Sequence, residues 1–286
     1  MTDETRFLHR DIAIPARDGY RLAASAFEPD ADPGDVVLIN SATAVPRRYY
    51  RHFAAALAAA GYHTLSYDYR GIGGSRPQRL RGFEASMRQW AALDMAGVID
   101  WIIAELRPRR LFMVGHSVGG QIAGLLNNAQ SIDGMVTVSA QSGYWALQGA
   151  EQKIVAAVHA YLTLPLVSRL FGYMPWPGVS EDLPRAAALE WASWCRNPKY
   201  LLGDDTLPLE RFARFSAPVL AYSISDDKWG TARSVDAMMG AYPNLERRHL
   251  TPADAGLRAI GHFGYFRPES RALWSDAISW LEQLGA

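Results

Sequence analysis

Leu111-Phe112-Met113-Val114-Gly115-His116-Ser117-Val118-Gly119-Gly120 is the stretch on which the reading of this chain turns. Four consecutive apolar residues have the composition of a buried strand, and Gln121 to Asn128 behind them have that of a helix. Between the two, Gly115, Ser117 and Gly119 fit a serine carried on a sharp strand-to-helix turn, where close approach of the backbone leaves no room for a side chain beside the serine. In such a turn the Ser117 hydroxyl stands clear of the sheet. The Val118 N–H, unpaired at the first turn of a helix, then faces any negative charge that develops beside that hydroxyl.

Outward from this point the chain alternates strand and helix. Residues 7 to 14 and 20 to 27 are strand-like and flank Ala16-Arg17-Asp18-Gly19, so the chain is expected to open as an antiparallel hairpin. Val36 to Ile39 reads as a strand, Arg48 to Ala60 as a helix, His63 to Tyr67 as a strand and Ser86 to Leu106 as a long amphipathic helix. Met135 to Ser139 and Val219 to Ile224 read as two further strands. This succession predicts a mostly parallel sheet with helices on both faces and a site at the carboxyl ends of its strands. From about Tyr144 to Phe212 the alternation breaks into a segment rich in aromatics and prolines, including Trp145, Tyr161, Pro165, Trp176, Pro177, Trp191 and Trp194. Inserted between core strands, residues 144–212 are expected to form a cap over the site, with 1–143 and 213–286 as the core; its aromatics either wall a pocket or pack a core of the cap's own.

Composition narrows the class of partner. Lys plus Arg and Asp plus Glu are both 29 among 286 residues, so the formal net charge is zero and neither nucleic acid nor an anionic membrane is favoured by long-range electrostatics. A small neutral or apolar molecule is the expected partner, and no cofactor or metal is called for. The single cysteine, Cys195, cannot form an internal disulfide; Met1 to Arg6 lack the basic and apolar regions of a secretory leader; and no charge-free apolar run reaches about 18 residues. A cytoplasmic location without a membrane span is the expectation. Oligomeric state is not encoded in any pattern of this kind.

An unactivated serine hydroxyl is a poor nucleophile, so it requires a base, and the base requires an acid to fix its tautomer. On a strand-turn-helix serine the partners follow in the order acid then histidine, which leaves His159, His249 and His262 of the seven histidines. His159 lies in the expected cap and His249 in an alternating strand-like segment. His262, in Ile260-Gly261-His262-Phe263-Gly264 just before the last helix, is the assigned base. For the acid, Pro218 to Ile224 runs into Ser225-Asp226-Asp227, with Asp227 favoured on spacing over Asp226, which could cap a turn. Asp68 and Asp254 are competitors.

With these residues on the page, the chain resembles the α/β-hydrolase superfamily, in particular its bacterial predicted-esterase branch related to serine aminopeptidase-like hydrolases. The resemblance rests on Asp68-Tyr69-Arg70-Gly71-Ile72-Gly73-Gly74-Ser75, on Gly115 to Gly119, on Ser225-Asp226-Asp227 after a strand, and on Gly261-His262-Phe263-Gly264. It implies an eight-stranded, mostly parallel sheet with an inserted helical cap, and Ser117, an aspartate of the 226/227 pair and His262 as nucleophile, acid and base. Many relatives carry His-Gly after the strand that supplies the second oxyanion donor, whereas this chain has Asn40-Ser41-Ala42-Thr43. The backbone N–H of Ala42 is aligned with that position, with Thr43 as the alternative, alongside Val118. The Asp68 to Ser75 loop reads as structural. The activity so implied is cleavage of a small or medium neutral carboxylic ester through an acyl-enzyme, as in carboxylesterases. Acyltransferase, thioesterase and peptidase chemistry use the same three groups, and a ligand-binding receptor on the same fold is the reading of another class.

Overall fold

The computed structural model of this chain describes residues 7–30, 34–176 and 178–285. The leader reading of residues 1–6 and the proline at 177 lie outside them. The opening hairpin pairs Phe7–Pro15 (β1) with Arg21–Pro29 (β2), and its turn closes at Asp18-Gly19, where Gly19 takes φ +82°. There follow Asp35–Asn40 (β3), His63–Tyr67 (β4), Arg110–His116 (β5), Gly134–Val138 (β6), the two-residue pair Tyr173–Met174 (β7) and Leu183–Pro184 (β8), Val219–Ile224 (β9) and Leu245–Leu250 (β10).

Eight of these form one sheet in the order β1-β2-β4-β3-β5-β6-β9-β10. β2 runs antiparallel to both neighbours, and every pairing from β4 to β10 is parallel. The central strands are apolar throughout because both faces are covered. Val36, Leu38, Leu111 and Met113 join one core with Trp90, Met95 and Ile99, whereas Val37, Ile39, Phe112 and Val114 join another with Phe53, Leu57, Trp274 and Leu281. The period of two along each strand thus divides its side chains between the helical run 87–106 on one face and the helices Arg51–Ala59 and Arg271–Gly285 on the other. Ser86 starts the first of these with a capping box to Gln89.

One element is shorter than its composition predicts. The helix behind Ser117 runs as Val118–Gln121, tightens into a 3-10 turn over Ile122–Leu125, and is extended by Leu126. Gly119, Gly120 and Gly124 weaken its continuation. At Gly124 the ring of Phe212 packs so closely that a Cβ would meet it at 2.2 Å.

Between β6 and β9 the chain leaves the sheet. It forms one continuous helix, Gln152–Phe171, then the β7–β8 pair and the helix Arg185–Arg196. Gln152–Phe171 has a mean hydropathy of 1.6 and is long and apolar enough to cross a membrane by length and composition. Lys153 and Arg169 interrupt it near its two ends, so the sequence reading of no long charge-free run still describes it.

Candidate active site

β5 delivers Ser117 in a conformation that few non-glycine residues adopt, with φ 51° and ψ −118°. The turn is tight enough to explain its glycines. A Cβ on Gly115 would meet the Gly120 nitrogen at 2.5 Å, and one on Gly119 the Asn40 carbonyl oxygen at 2.4 Å. The Ser117 N–H donates to the Val138 carbonyl at 2.9 Å, tying the turn to β6, and the Ser117 carbonyl accepts from Gly120 and Gln121 as the helix begins. Ser117 opens onto a cavity of about 210 Å³, and His262 faces the same cavity.

His262 sits in a short helix, Gly261–Gly264, and its Nδ1 lies 2.8 Å from Asp227 Oδ2. Asp227 follows β9 and its side chain is fully buried. Burial alone would raise its pKa; the neighbouring His262 outweighs that, and with the Gly230 N–H holds it down to about 2. The other Asp227 oxygen accepts the Trp229 and Gly230 N–H groups at 2.9 and 2.8 Å. A permanently charged carboxylate at Nδ1 places the imidazole proton there and leaves the Nε2 lone pair free to act as a base.

The other carboxylates have structural partners. Asp226 accepts the Ile260 and Gly261 N–H groups at 2.9 and 3.0 Å, so it anchors the loop that carries His262. Asp68 pairs with Arg47 and accepts the Gly74 N–H, and Asp254 caps a 3-10 turn from Thr251. In the Asp68 to Ser75 loop, Arg70 bridges the buried Asp94 to the exposed Asp18, which holds that loop against the first hairpin. His249 bonds Ser223 at 2.8 Å. His159 reaches the cavity wall beside the Trp176 ring.

The Ala42 N–H, the expected oxyanion donor, has a partner within the fold. It donates to the buried Tyr50 hydroxyl at 2.8 Å and is therefore already committed. Thr43, the next residue, lines the cavity. The Tyr50 hydroxyl lies 2.8 Å from His116 Nδ1, and His116 Nε2 lies 2.9 Å from the His262 carbonyl oxygen. A carbonyl oxygen only accepts, so Nε2–H donates to it, and in the neutral ring Nδ1 then accepts from the Tyr50 hydroxyl. One chain of hydrogen bonds so connects the Ala42 loop, the residue before Ser117 and the backbone of His262. Burial, reinforced by the neighbouring His262, pulls the His116 pKa down to about 3 and keeps the ring neutral. Sequence reading passed over this pair, because chain order set His116 aside and nothing local marks Tyr50 as its partner.

The aromatics between β6 and β9 divide. Trp176, Trp191 and Tyr200 line the cavity. Trp194 is buried and donates to Asp204 at 2.9 Å, while Tyr161 and Phe171 are exposed. Cys195 also reaches the wall; burial pushes its thiol pKa up, which keeps it protonated and unreactive. Among the described residues no three His, Cys, Asp or Glu side chains cluster so as to hold a metal ion.

Comparison with known proteins extends this picture. The family model described as serine aminopeptidase, S33 (Hydrolase_4) matches residues 32–201, more than half of the chain. An uncharacterised protein of Mycobacterium tuberculosis is 29% identical over 119 residues, which are 40% of this chain and only 39% of that protein. Among solved structures, Est1E from Butyrivibrio proteoclasticus, with ferulic acid bound, is 16% identical at a TM-score of 0.65, covering 96% of this chain and 100% of its own. A soluble variant of monoglyceride lipase from Saccharomyces cerevisiae, in complex with a substrate analogue, is 14% identical at a TM-score of 0.67, covering 99% and 98%. At such identities the structural likeness establishes the fold.

Proposed function

This chain belongs to the serine aminopeptidase S33 family of α/β-hydrolases, and from that premise we propose that it is a serine-dependent ester hydrolase with Ser117 as nucleophile, His262 as base and Asp227 as the acid that orients it. The observation that carries the reading is the meeting, in one apolar cavity, of a serine on a strained turn and an imidazole bonded to a buried carboxylate.

In this mechanism the Ser117 Oγ attacks the acyl carbon as its proton passes to His262 Nε2, and the charged Asp227 stabilises the imidazolium without taking a proton. The Thr43 and Val118 N–H groups meet the oxyanion, each such donor contributing about 3 kcal/mol to the transition state. Collapse of the tetrahedral intermediate breaks the ester C–O bond, and the imidazolium returns its proton to the departing alkoxide. Water, deprotonated by His262, then attacks the acyl-enzyme and releases the acid and Ser117. A cavity of about 210 Å³ walled by Trp176, Trp191 and Leu164 suits a small or medium apolar ester.

Ser117→Ala tests the assignment. The wild-type protein should hydrolyse p-nitrophenyl acyl esters and be labelled by a fluorophosphonate probe, and the variant should lose labelling and several orders of magnitude of turnover. Undiminished turnover in Ser117→Ala would overturn it. Product analysis with a competing alcohol separates hydrolysis from acyl transfer.

A further inference from the structure

Of the ten large hydrophobic side chains that stand exposed among the described residues, eight lie on the single helix Gln152–Phe171. Ile154, Val158, Leu162, Leu166 and Leu170 recur at every fourth residue and form one continuous stripe along it, with exposures of 76, 45, 54, 62 and 73%. Scattered apolar residues on a surface need no explanation, but a contiguous stripe of this kind marks something that covers it. The opposite side of the same helix is buried against the body, with Ala156, Ala160 and Leu164 on the cavity wall. The helix is therefore a fixed part of the domain, lying on its surface with an apolar face outward.

The charges within the helix are of one sign, and the carboxylate at its start, Glu151, is paired with Lys228. Lys153 and Arg169 are the only Lys, Arg, Asp or Glu residues within the helix. Beside it, Arg81 donates to the Phe171 and Leu170 carbonyls and Arg196 to the Ala160 carbonyl, with its guanidinium over the Tyr161 ring. None of these four cations has a carboxylate partner among the ion pairs of the described residues. An apolar helical face rimmed by unpaired cations and aromatic rings complements the boundary between acyl chains and anionic headgroups, where long basic side chains reach the headgroups while the apolar face enters the chains. A second copy of the chain fits less well. Two-fold pairing of the helix with itself sets Lys153 against Arg169 when antiparallel, or each against its own copy when parallel, and so opposes like charges.

We propose that the outer face of Gln152–Phe171 docks this protein on an anionic lipid surface, with the cavity on the inner side of that same helix. This replaces the expectation of no membrane partner drawn from a net charge of zero, because the favourable charge is local. The inference adds to the ester-hydrolase reading a source for apolar substrates, and does not depend on it for the docking itself.

The test is co-sedimentation of the full chain with vesicles of an equimolar phosphatidylglycerol and phosphatidylcholine mixture, and with pure phosphatidylcholine vesicles. The wild-type protein should bind the anionic vesicles, more weakly at raised salt, and bind pure phosphatidylcholine poorly. Leu166→Asp with Leu170→Asp should lower the partition coefficient at least about tenfold, and Arg169→Gln about fivefold on anionic vesicles alone. Turnover of a short, soluble ester should be unchanged in these variants, which shows that they fold. Failure of the wild-type protein to bind, equal binding to both vesicles, binding indifferent to the substitutions, or a wild-type dimer that Leu170→Asp converts to a monomer would each overturn the proposal. Ser117→Ala should bind vesicles like the wild type; vesicle binding by a wild-type protein that cleaves no ester would refute the hydrolase reading and leave the docking intact.

Discussion

His116 should make this protein acid-labile in a way that can be isolated. Its ring is fully buried, accepts from the Tyr50 hydroxyl and donates to the His262 carbonyl, so a second proton on Nδ1 would turn an acceptor into a donor facing a donor. The folded-state pKa lies at about 3 against an ordinary 6.5. The unfolded chain therefore binds this proton more readily than the folded one, and stability falls as pH drops from about 6.5 towards 3. At about 1.4 kcal/mol per pH unit the His116 contribution to that fall reaches about 3 kcal/mol at pH 4.5. For a chain of this size that corresponds to roughly 5 °C in melting temperature. The perturbation is His116→Gln, neutral at every pH, and the assay is urea or thermal unfolding of both proteins at pH 7 and 4.5. Whatever the substitution costs at pH 7, the variant should lose about 3 kcal/mol less than the wild type over that interval. Parallel losses in the two proteins would refute the assignment of a buried neutral ring.

Three further outcomes follow from the same geometry. Asp227→Asn should retain the fold near neutral pH while kcat falls by about 10⁴, because the wrong imidazole tautomer is then stabilised; Asp226→Asn, which touches only the loop backbone, should keep most of the activity in the same ester assay. The depressed Asp227 pKa, about 2 against an ordinary 3.8, adds stability that is complete above about pH 4 and lost as pH falls towards 2; Asp227→Asn should flatten that last acid limb in unfolding titrations, by about 2 kcal/mol. Gly119→Ala would press a methyl group into the Asn40 carbonyl and should destabilise by about 1–3 kcal/mol, read as a lowered melting temperature together with reduced ester turnover.

The sequence by itself determined the mostly parallel, helix-covered sheet and the place of the Ser117 turn in it, because these rest on local rules. Side chains alternate along a strand whatever surrounds it, Asp18-Gly19 closes a turn by its own backbone preference, and Gly115 and Gly119 are the residues that a tight strand-to-helix turn admits. Chain order was enough to nominate Ser117, His262 and the Asp226/Asp227 pair, in which spacing favours Asp227. Tertiary structure decided what depends on residues far apart in the chain. The 2.8 Å contact between residues 227 and 262 separates Asp227 from its neighbour Asp226, whose partners are backbone N–H groups. A tyrosine eight residues on takes the Ala42 N–H, and the Tyr50–His116 connection spans 66 residues with no local trace. The apolar stripe of Gln152–Phe171 is likewise a fact of packing: composition marks the helix as apolar, but which of its sides meets the body and which is left facing outward depends on neighbours that assemble only in the folded chain.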